Sequence, residues 1–233
     1  MRLDKFLGNL GVGSRQDVKK IIKNGRVKVN GEIVHLPEKK ISEEIDLITL
    51  DGQELVFQKF YYILLNKPSG YVCSAHEKGQ ISVLSLIKES YADKLFPVGR
   101  LDKDTEGILL LTNDGKLSHE LLSPAKHVDK TYYVEIKECI TREDITAFEE
   151  GIDIGDDKVT MPAVLKPIGD KSCLVTIREG RFHQIKRMFA ARNNEVLYLR
   201  RTKMKNLCLE ETLKLGDYRP LTEEEIEGLK NDK

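Results

Sequence analysis

Between Gly99 and Gly115 the chain reads Gly-Arg-Leu-Asp-Lys-Asp-Thr-Glu-Gly-Ile-Leu-Leu-Leu-Thr-Asn-Asp-Gly, a cluster of charge set between glycines just before an apolar run. If Arg100 to Asp102 is extended, the period-2 alternation of a strand places the guanidinium and the first carboxylate on one side and Leu101 on the other, toward a core. A carboxylate kept ionised beside a cation can attack an electrophilic carbon, take a proton or stabilise positive charge. An exposed Arg-x-Asp pair is equally a surface feature contributing at most about 1 kcal/mol. The cluster alone leaves both readings open.

Three other stretches carry similar chemistry: Leu65-Asn66-Lys67-Pro68-x-Gly70-Tyr71, Lys130-Thr131-Tyr132, and Glu179-Gly180-Arg181-Phe182-His183-Gln184-Ile185-Lys186-Arg187-Met188-Phe189. With the Gly99–Gly115 stretch they resemble, in order, the four motifs of the pseudouridine synthases, specifically the ribosomal small-subunit (RsuA-type) branch. The resemblance covers residues 61 to 233. It implies an isomerase that breaks the C1′–N1 bond of a uridine, turns the uracil and rejoins it through C5 without a cofactor. It further implies a ribosomal RNA partner, in the free or partly assembled small subunit, and the uridine at position 516 of 16S rRNA. Met1 to Phe6, Tyr71-Val72-Cys73-Ser74 and Tyr218 to Ile226 look most like that branch. A sibling synthase acting on a 23S rRNA uridine is the near alternative, and a catalytically silent rRNA-binding or assembly factor the alternative of a different class.

On the same resemblance Asp102 is the catalytic carboxylate, acting as a nucleophile at C1′ or as a base on the sugar, and Lys186 is the cation beside it. Tyr132 stacks on the flipped uracil and takes part in proton handling. Lys130 orders the strand or meets a phosphate, Leu199 closes the pocket, and Arg100 fills the stack that the flipped base vacates. Arg200-Arg201 and Met204-Lys205-Asn206 depart from the residues usual in the family, which bears on the local turn and RNA contacts rather than the chemistry.

Thirty-eight Lys/Arg balance thirty-eight Asp/Glu, yet the charge is uneven. Residues 1–40 hold ten basic against four acidic residues, residues 41–60 one against five, and residues 178–205 nine against two. Two basic segments on an acidic body suit phosphate contacts at chosen places. With no apolar segment of signal-peptide or membrane-span type, a cytoplasmic monomer is expected. The four cysteines, Cys73, Cys139, Cys173 and Cys208, lack Cys-x-x-Cys spacing, so reduced and mostly buried thiols are expected.

These residues must be positioned by an α+β chain. Ser14-Arg15-Gln16-Asp17 reads as a capping box opening a helix to about Asn24, with Val18, Ile21 and Ile22 on its apolar stripe. Arg15, Lys19 and Lys23 line another face, a like-charge row that costs a helix a few tenths of a kcal/mol per pair and suits an anion lying along it. Gly25 stops the helix, and Asn30-Gly31 suits the turn of a hairpin over residues 26–34. This pattern, with Arg2-Leu3-Asp4-Lys5-Phe6-Leu7, resembles the S4 RNA-binding domain. We therefore expect an S4-like domain over residues 1–50, a linker over 51–59 and a synthase domain with a mixed, largely antiparallel sheet over 60–233. Arg2, Arg15, Lys19, Lys23, Arg26 and Lys28 of the first domain, with Arg181 and Arg187 of the second, are the expected RNA contacts.

Other chemistries fit poorly. Lys203-Met204-Lys205-Asn206 faintly resembles the signature loop of class I aminoacyl-tRNA synthetases, but none of His35, His76, His119, His127 or His183 begins a His-x-Gly-His motif. The histidines lack metal-ligand spacing, and neither a Walker loop nor a Gly-x-Ser-x-Gly elbow is present, so no metal site is expected. Asp102 and Asp104 could instead form the paired carboxylates of a metal-dependent hydrolase, which sensitivity to EDTA would reveal.

Overall fold

The computed structural model describes residues 1–43, 45–55, 58–74 and 78–231, and the chain divides into two compact units at Lys59/Phe60.

In the first unit, α1 (Leu3–Asn9) and α2 (Arg15–Lys23) pack on a sheet of β1 (Val27–Val29), β2 (Glu32–Ile33), β3 (Ile48–Leu50) and β4 (Gln53–Glu54), ordered β2-β1-β3-β4. The capping box forms as read: the Ser14 hydroxyl accepts from the Asp17 amide, and Asp17 returns the bond to the Ser14 amide. Val18 and Ile22 are buried with Leu3, Phe6 and Leu7, which leaves Arg15, Lys19 and Lys23 on the solvent side. Asn30 and Gly31 both take positive φ, as the tight β1–β2 turn requires. The expected linker begins too early. Residues 51–55 belong to this unit, because Gln53–Glu54 pair with β3 and Leu55 packs on its core; Val56 and Phe57 of that linker lie outside the described residues.

The second unit is built on β5 (Tyr62–Lys67), β8 (Phe96–Pro97), β9 (Glu106–Thr112), β10 (Lys130–Ile136), β11 (Val164–Gly169), β12 (Ser172–Ile177), β13 (Val196–Met204), β14 (Leu207–Cys208) and β15 (Tyr218–Pro220). Its main order is β11-β12-β10-β13-β9-β5-β15, antiparallel throughout except where β13 runs parallel to β9. A separate ribbon pairs β6 (Tyr71–Val72) with β7 (Ile81–Ser82). Strands β5 and β9 read as unbroken apolar runs because both sheet faces are covered. Ile63, Leu65, Leu109 and Leu111 join one core with α4 (Arg142–Glu150) and α5 (Gln184–Ala191), whereas Tyr62, Leu64, Ile108 and Leu110 join the other with α3 (Gly115–Leu122) and α6 (Glu223–Lys230). Thr141 and Thr222 cap α4 and α6 with full capping boxes.

The junction of β9 with β13 depends on a glycine. Gly107 has φ +100°, and a Cβ there would lie 2.2 Å from the Arg201 carbonyl oxygen. No side chain fits, so this motif glycine lets the two strands close at the edge of the site. All four cysteines are free; Cys73 and Cys173 are buried, but Cys139 and Cys208 are exposed, so only half follow the expected burial.

Candidate active site

A cavity of about 810 Å³ opens in the second unit and brings together Arg100, Asp102, Lys130, Tyr132 and Leu199 from three separate stretches of sequence. Its size suits a single nucleotide.

Asp102 sits on a turn rather than a strand, with the Thr105 amide donating to the Asp102 carbonyl at 3.1 Å. Leu101 is buried behind it and Arg100 is exposed on the rim, so the alternation expected for an extended segment survives in the irregular backbone. What fixes this turn is a residue the sequence reading quoted but gave no role. Lys67, fully buried at the end of β5, donates from Nζ to the carbonyls of Pro68, Asp102, Lys103 and Thr105 at 3.2, 3.1, 3.1 and 2.8 Å. Burial lowers its pKa, against the fields of Asp104, Glu106 and Asp102. The Cys73 thiol completes the clamp: it accepts from the Leu101 amide at 3.3 Å and donates to the Leu101 carbonyl at 3.5 Å. The signal for Lys67 was a lysine inside an apolar strand, which is costly unless its ammonium is fully hydrogen-bonded.

Lys186 and His183 meet the carboxylates from the segment that opens and forms α5. Lys186 Nζ lies 3.7 Å from Asp102 Oδ2 but only 2.6 and 2.8 Å from the two oxygens of Asp104. The expected Lys186–Asp102 partnership is thus secondary to a tighter one with Asp104. Partial burial works against the charge of Asp104, yet the Lys186 bonds hold its pKa below the usual carboxylate value. His183, which sequence reasoning missed, places Nε2 3.6 Å from Asp102 Oδ1. It adopts φ +49°, the left-handed region, at the N-cap of α5, and its ring stacks on Phe182 at 3.9 Å. Ile185, Met188 and Phe189 are buried and set the direction of Lys186.

Arg181 and Arg187, expected as RNA contacts, are both engaged within the protein. Arg181 binds Glu179 at 3.0 Å, Asp156 and the carbonyls of Lys158 and Val159; Arg187 binds Asp156 at 2.5 Å and the carbonyls of Phe182 and Ile154. They tie the motif to the 154–159 loop. Arg2 and Arg26 are engaged by Asp4 and Asp51 on the surface of the first unit. By contrast Arg15, Lys19, Lys23 and Lys28 are exposed and make no ion pair among the described residues.

Tyr132 and Leu199 are both buried against the main core and line the cavity. Tyr132 lies opposite Arg201 across a bulge between β10 and β13. Lys130, two residues earlier, donates to the Val128 carbonyl at 3.0 Å, and burial with the nearby Arg201 pushes its pKa down to about 8. Elsewhere the motif ends are structural: Asp114 caps α3 and accepts from the Tyr62 hydroxyl at 2.7 Å.

A carboxylate clamped on a turn, faced by a lysine and set in a nucleotide-sized cavity with a buried tyrosine, defines an RNA-modifying enzyme of the pseudouridine synthase class. The chain belongs to the RNA pseudouridylate synthase family, which matches residues 61–191, and an S4 domain matches residues 1–44. It is 44% identical over 229 residues to the ribosomal small subunit pseudouridine synthase A of Escherichia coli K12, spanning 97% of this chain and 98% of that protein. It is also 44% identical over 235 residues to an uncharacterized RNA pseudouridine synthase of Bacillus subtilis, spanning 97% of each. A crystal structure described as pseudouridylate synthase superposes with a TM-score of 0.71 at 41% identity, covering 98% of this chain and 99% of that one.

Proposed function

We propose that this pseudouridine synthase acts on small-subunit ribosomal RNA and that its target is the uridine at position 516 of 16S rRNA. It works as a cytoplasmic monomer on the free or partly assembled subunit. The observation that carries the chemistry is Asp102, held by backbone clamps at the cavity with Lys186 within 3.7 Å. The substrate class is supported by the full-length likeness to the E. coli small-subunit enzyme.

A flipped uridine enters base first and lies on Tyr132, with Leu199 opposite and Arg100 at the rim to fill the vacated stack. The C1′–N1 bond breaks with its electron pair passing to N1. Asp102 either takes C1′ as a covalent partner or removes a sugar proton, and in both cases a negative charge beside C1′ favours the step. The uracil turns and C5 bonds to C1′ as the Asp102–C1′ bond breaks or, on the other route, as the sugar regains its proton; the C5 proton then departs and N1 is protonated. No atom is gained or lost. The free cations of α2 and Lys28 hold phosphates of the folded RNA. Pseudouridine mapping across rRNA from cells lacking the gene tests the target: loss confined to 16S position 516, restored by the wild-type gene, supports it. Loss at a 23S position instead assigns the protein to the sibling activity, and an unchanged map removes the enzyme reading.

A further inference from the structure

The cavity has an unusual floor. Its rim carries exposed Arg100, Lys103, Arg178 and Phe182, whereas Lys130 and Arg201 line it at only 9% and 2% exposure. Neither buried cation has a carboxylate partner among the described residues. Lys130 spends one hydrogen bond on the Val128 carbonyl, and Asp129 beside it is bridged to Arg178 at 2.9 Å. Arg201 donates from Nε to the Ile108 carbonyl at 2.8 Å, while its buried Nη2 has no hydrogen-bond partner among the described residues. The backbone of Arg201 is fixed by the close approach of β13 to Gly107, and its Nε bond to the Ile108 carbonyl holds the side chain inside. Two buried positive charges without a counter-ion destabilise the empty protein.

An anion that arrives during the reaction accounts for them. A flipped nucleotide leaves its phosphates at the rim, beyond reach of the floor. Lys130 stands two residues from Tyr132 on β10 and Arg201 pairs with Tyr132 from β13, so both line the cavity beside the ring on which the uracil would lie. Neutral uracil has no use for two cations. Once the C1′–N1 electron pair passes to N1, the detached base carries a negative charge delocalised over O2 and O4. That charge vanishes when C5 bonds to C1′, the C5 proton leaves and N1 is protonated. We infer that Lys130 and Arg201 form an anion subsite for the detached uracil, stabilising the intermediate more than substrate or product. This rests on the synthase reading above and extends it from the sugar side, where Asp102 acts, to the leaving base.

The test uses the full chain and an rRNA fragment that the wild type converts, carrying uridine or 5-fluorouridine at the target. Fluorine spreads the charge of the departing base, so its loss needs less help from the protein. Single-turnover disappearance of the parent nucleoside is measured for wild type, Lys130→Met and Lys130→Arg, alongside RNA affinity and thermal unfolding. Lys130→Met is expected to slow uridine roughly 100-fold, and 5-fluorouridine by less than about tenfold, with RNA affinity unchanged. Its thermal stability should equal or exceed that of the wild type, because an unpaired buried charge has been removed. Lys130→Arg should recover most of the uridine rate. Equal slowing of both substrates would overturn the subsite. So would weaker RNA binding as the main defect, which would mark a phosphate contact instead. If methionine prevents folding, Lys130→Gln makes the same comparison. A wild type that converts only a large-subunit fragment would overturn the proposed target while leaving this comparison intact.

Discussion

The ammonium of Lys67 holds Asp102 by its backbone, donating to the Asp102 carbonyl at 3.1 Å from the end of a neighbouring strand. The carboxylate is therefore aimed by a residue that never touches it. Lys67→Met should remove its hydrogen bonds to four carbonyls, of which Asp102 and Lys103 keep a backbone donor, and cost about 3 kcal/mol of stability. Urea unfolding should show that loss, and the fraction still folded should have strongly reduced turnover with little change in RNA affinity. A variant with wild-type stability would mean the four bonds do not hold the turn.

Lys186 is shared unequally between two carboxylates, 2.6 Å from Asp104 and 3.7 Å from Asp102. Removing the closer competitor frees the lysine for Asp102, so Asp104→Asn should change kcat by less than about threefold, whereas Lys186→Met should lower it at least about tenfold. Steady-state kinetics on one rRNA fragment decides between them. A larger loss at Asp104 would make it, rather than Asp102, the principal carboxylate.

The row Arg15, Lys19 and Lys23 predicts an ionic-strength effect. Replacing all three by glutamine should weaken RNA binding and flatten the slope of log affinity against log salt by about 2 to 3, at roughly 0.9 per duplex phosphate contact. Arg181→Gln should leave the slope unchanged, since its guanidinium is already occupied by Glu179, Asp156 and two carbonyls. Filter binding between low and physiological salt gives both slopes.

Much of this was legible in local patterns. The capping boxes at Ser14, Thr141 and Thr222, the Asn30-Gly31 turn and the buried face beside Lys186 depend on neighbours within four residues, and the chain states them directly. What stayed hidden depends on distant partners. Nothing near Arg181 or Arg187 reveals that Asp156 and the carbonyls of the 154–159 loop occupy them, and nothing near Lys67 reveals the turn that it holds some 35 residues on. Tyr218–Pro220 is short, polar and paired only along one edge of β5, so β15 carries no strand pattern of its own. Arg201 read as a departure from the family, since its burial follows from the approach of β13 to Gly107.

The buried lysine also predicts a pH dependence. Burial first, and Arg201 second, push the Lys130 pKa down to about 8, with Asp129 acting in the opposite direction. A lysine is charged below its pKa, so activity that needs this charge is full below about pH 8 and falls as pH rises through it. The kcat/KM profile reports the free enzyme. It should show that alkaline limb in the wild type and lose it in Lys130→Arg, whose guanidinium stays charged. The same limb in both proteins would assign it to another group.

Everything proposed for the reaction turns on the Asp102 carboxylate. Asp102→Asn keeps the shape, the clamps from Lys67 and Cys73, and the basic row of α2, but removes the negative charge at the turn. The direct measurement is tritium release from rRNA labelled at uridine C5, run beside a binding assay on the same RNA. Turnover is expected to fall by several orders of magnitude with affinity within about twofold of wild type. Substantial tritium release by Asp102→Asn, with the protein folded and bound, would contradict it.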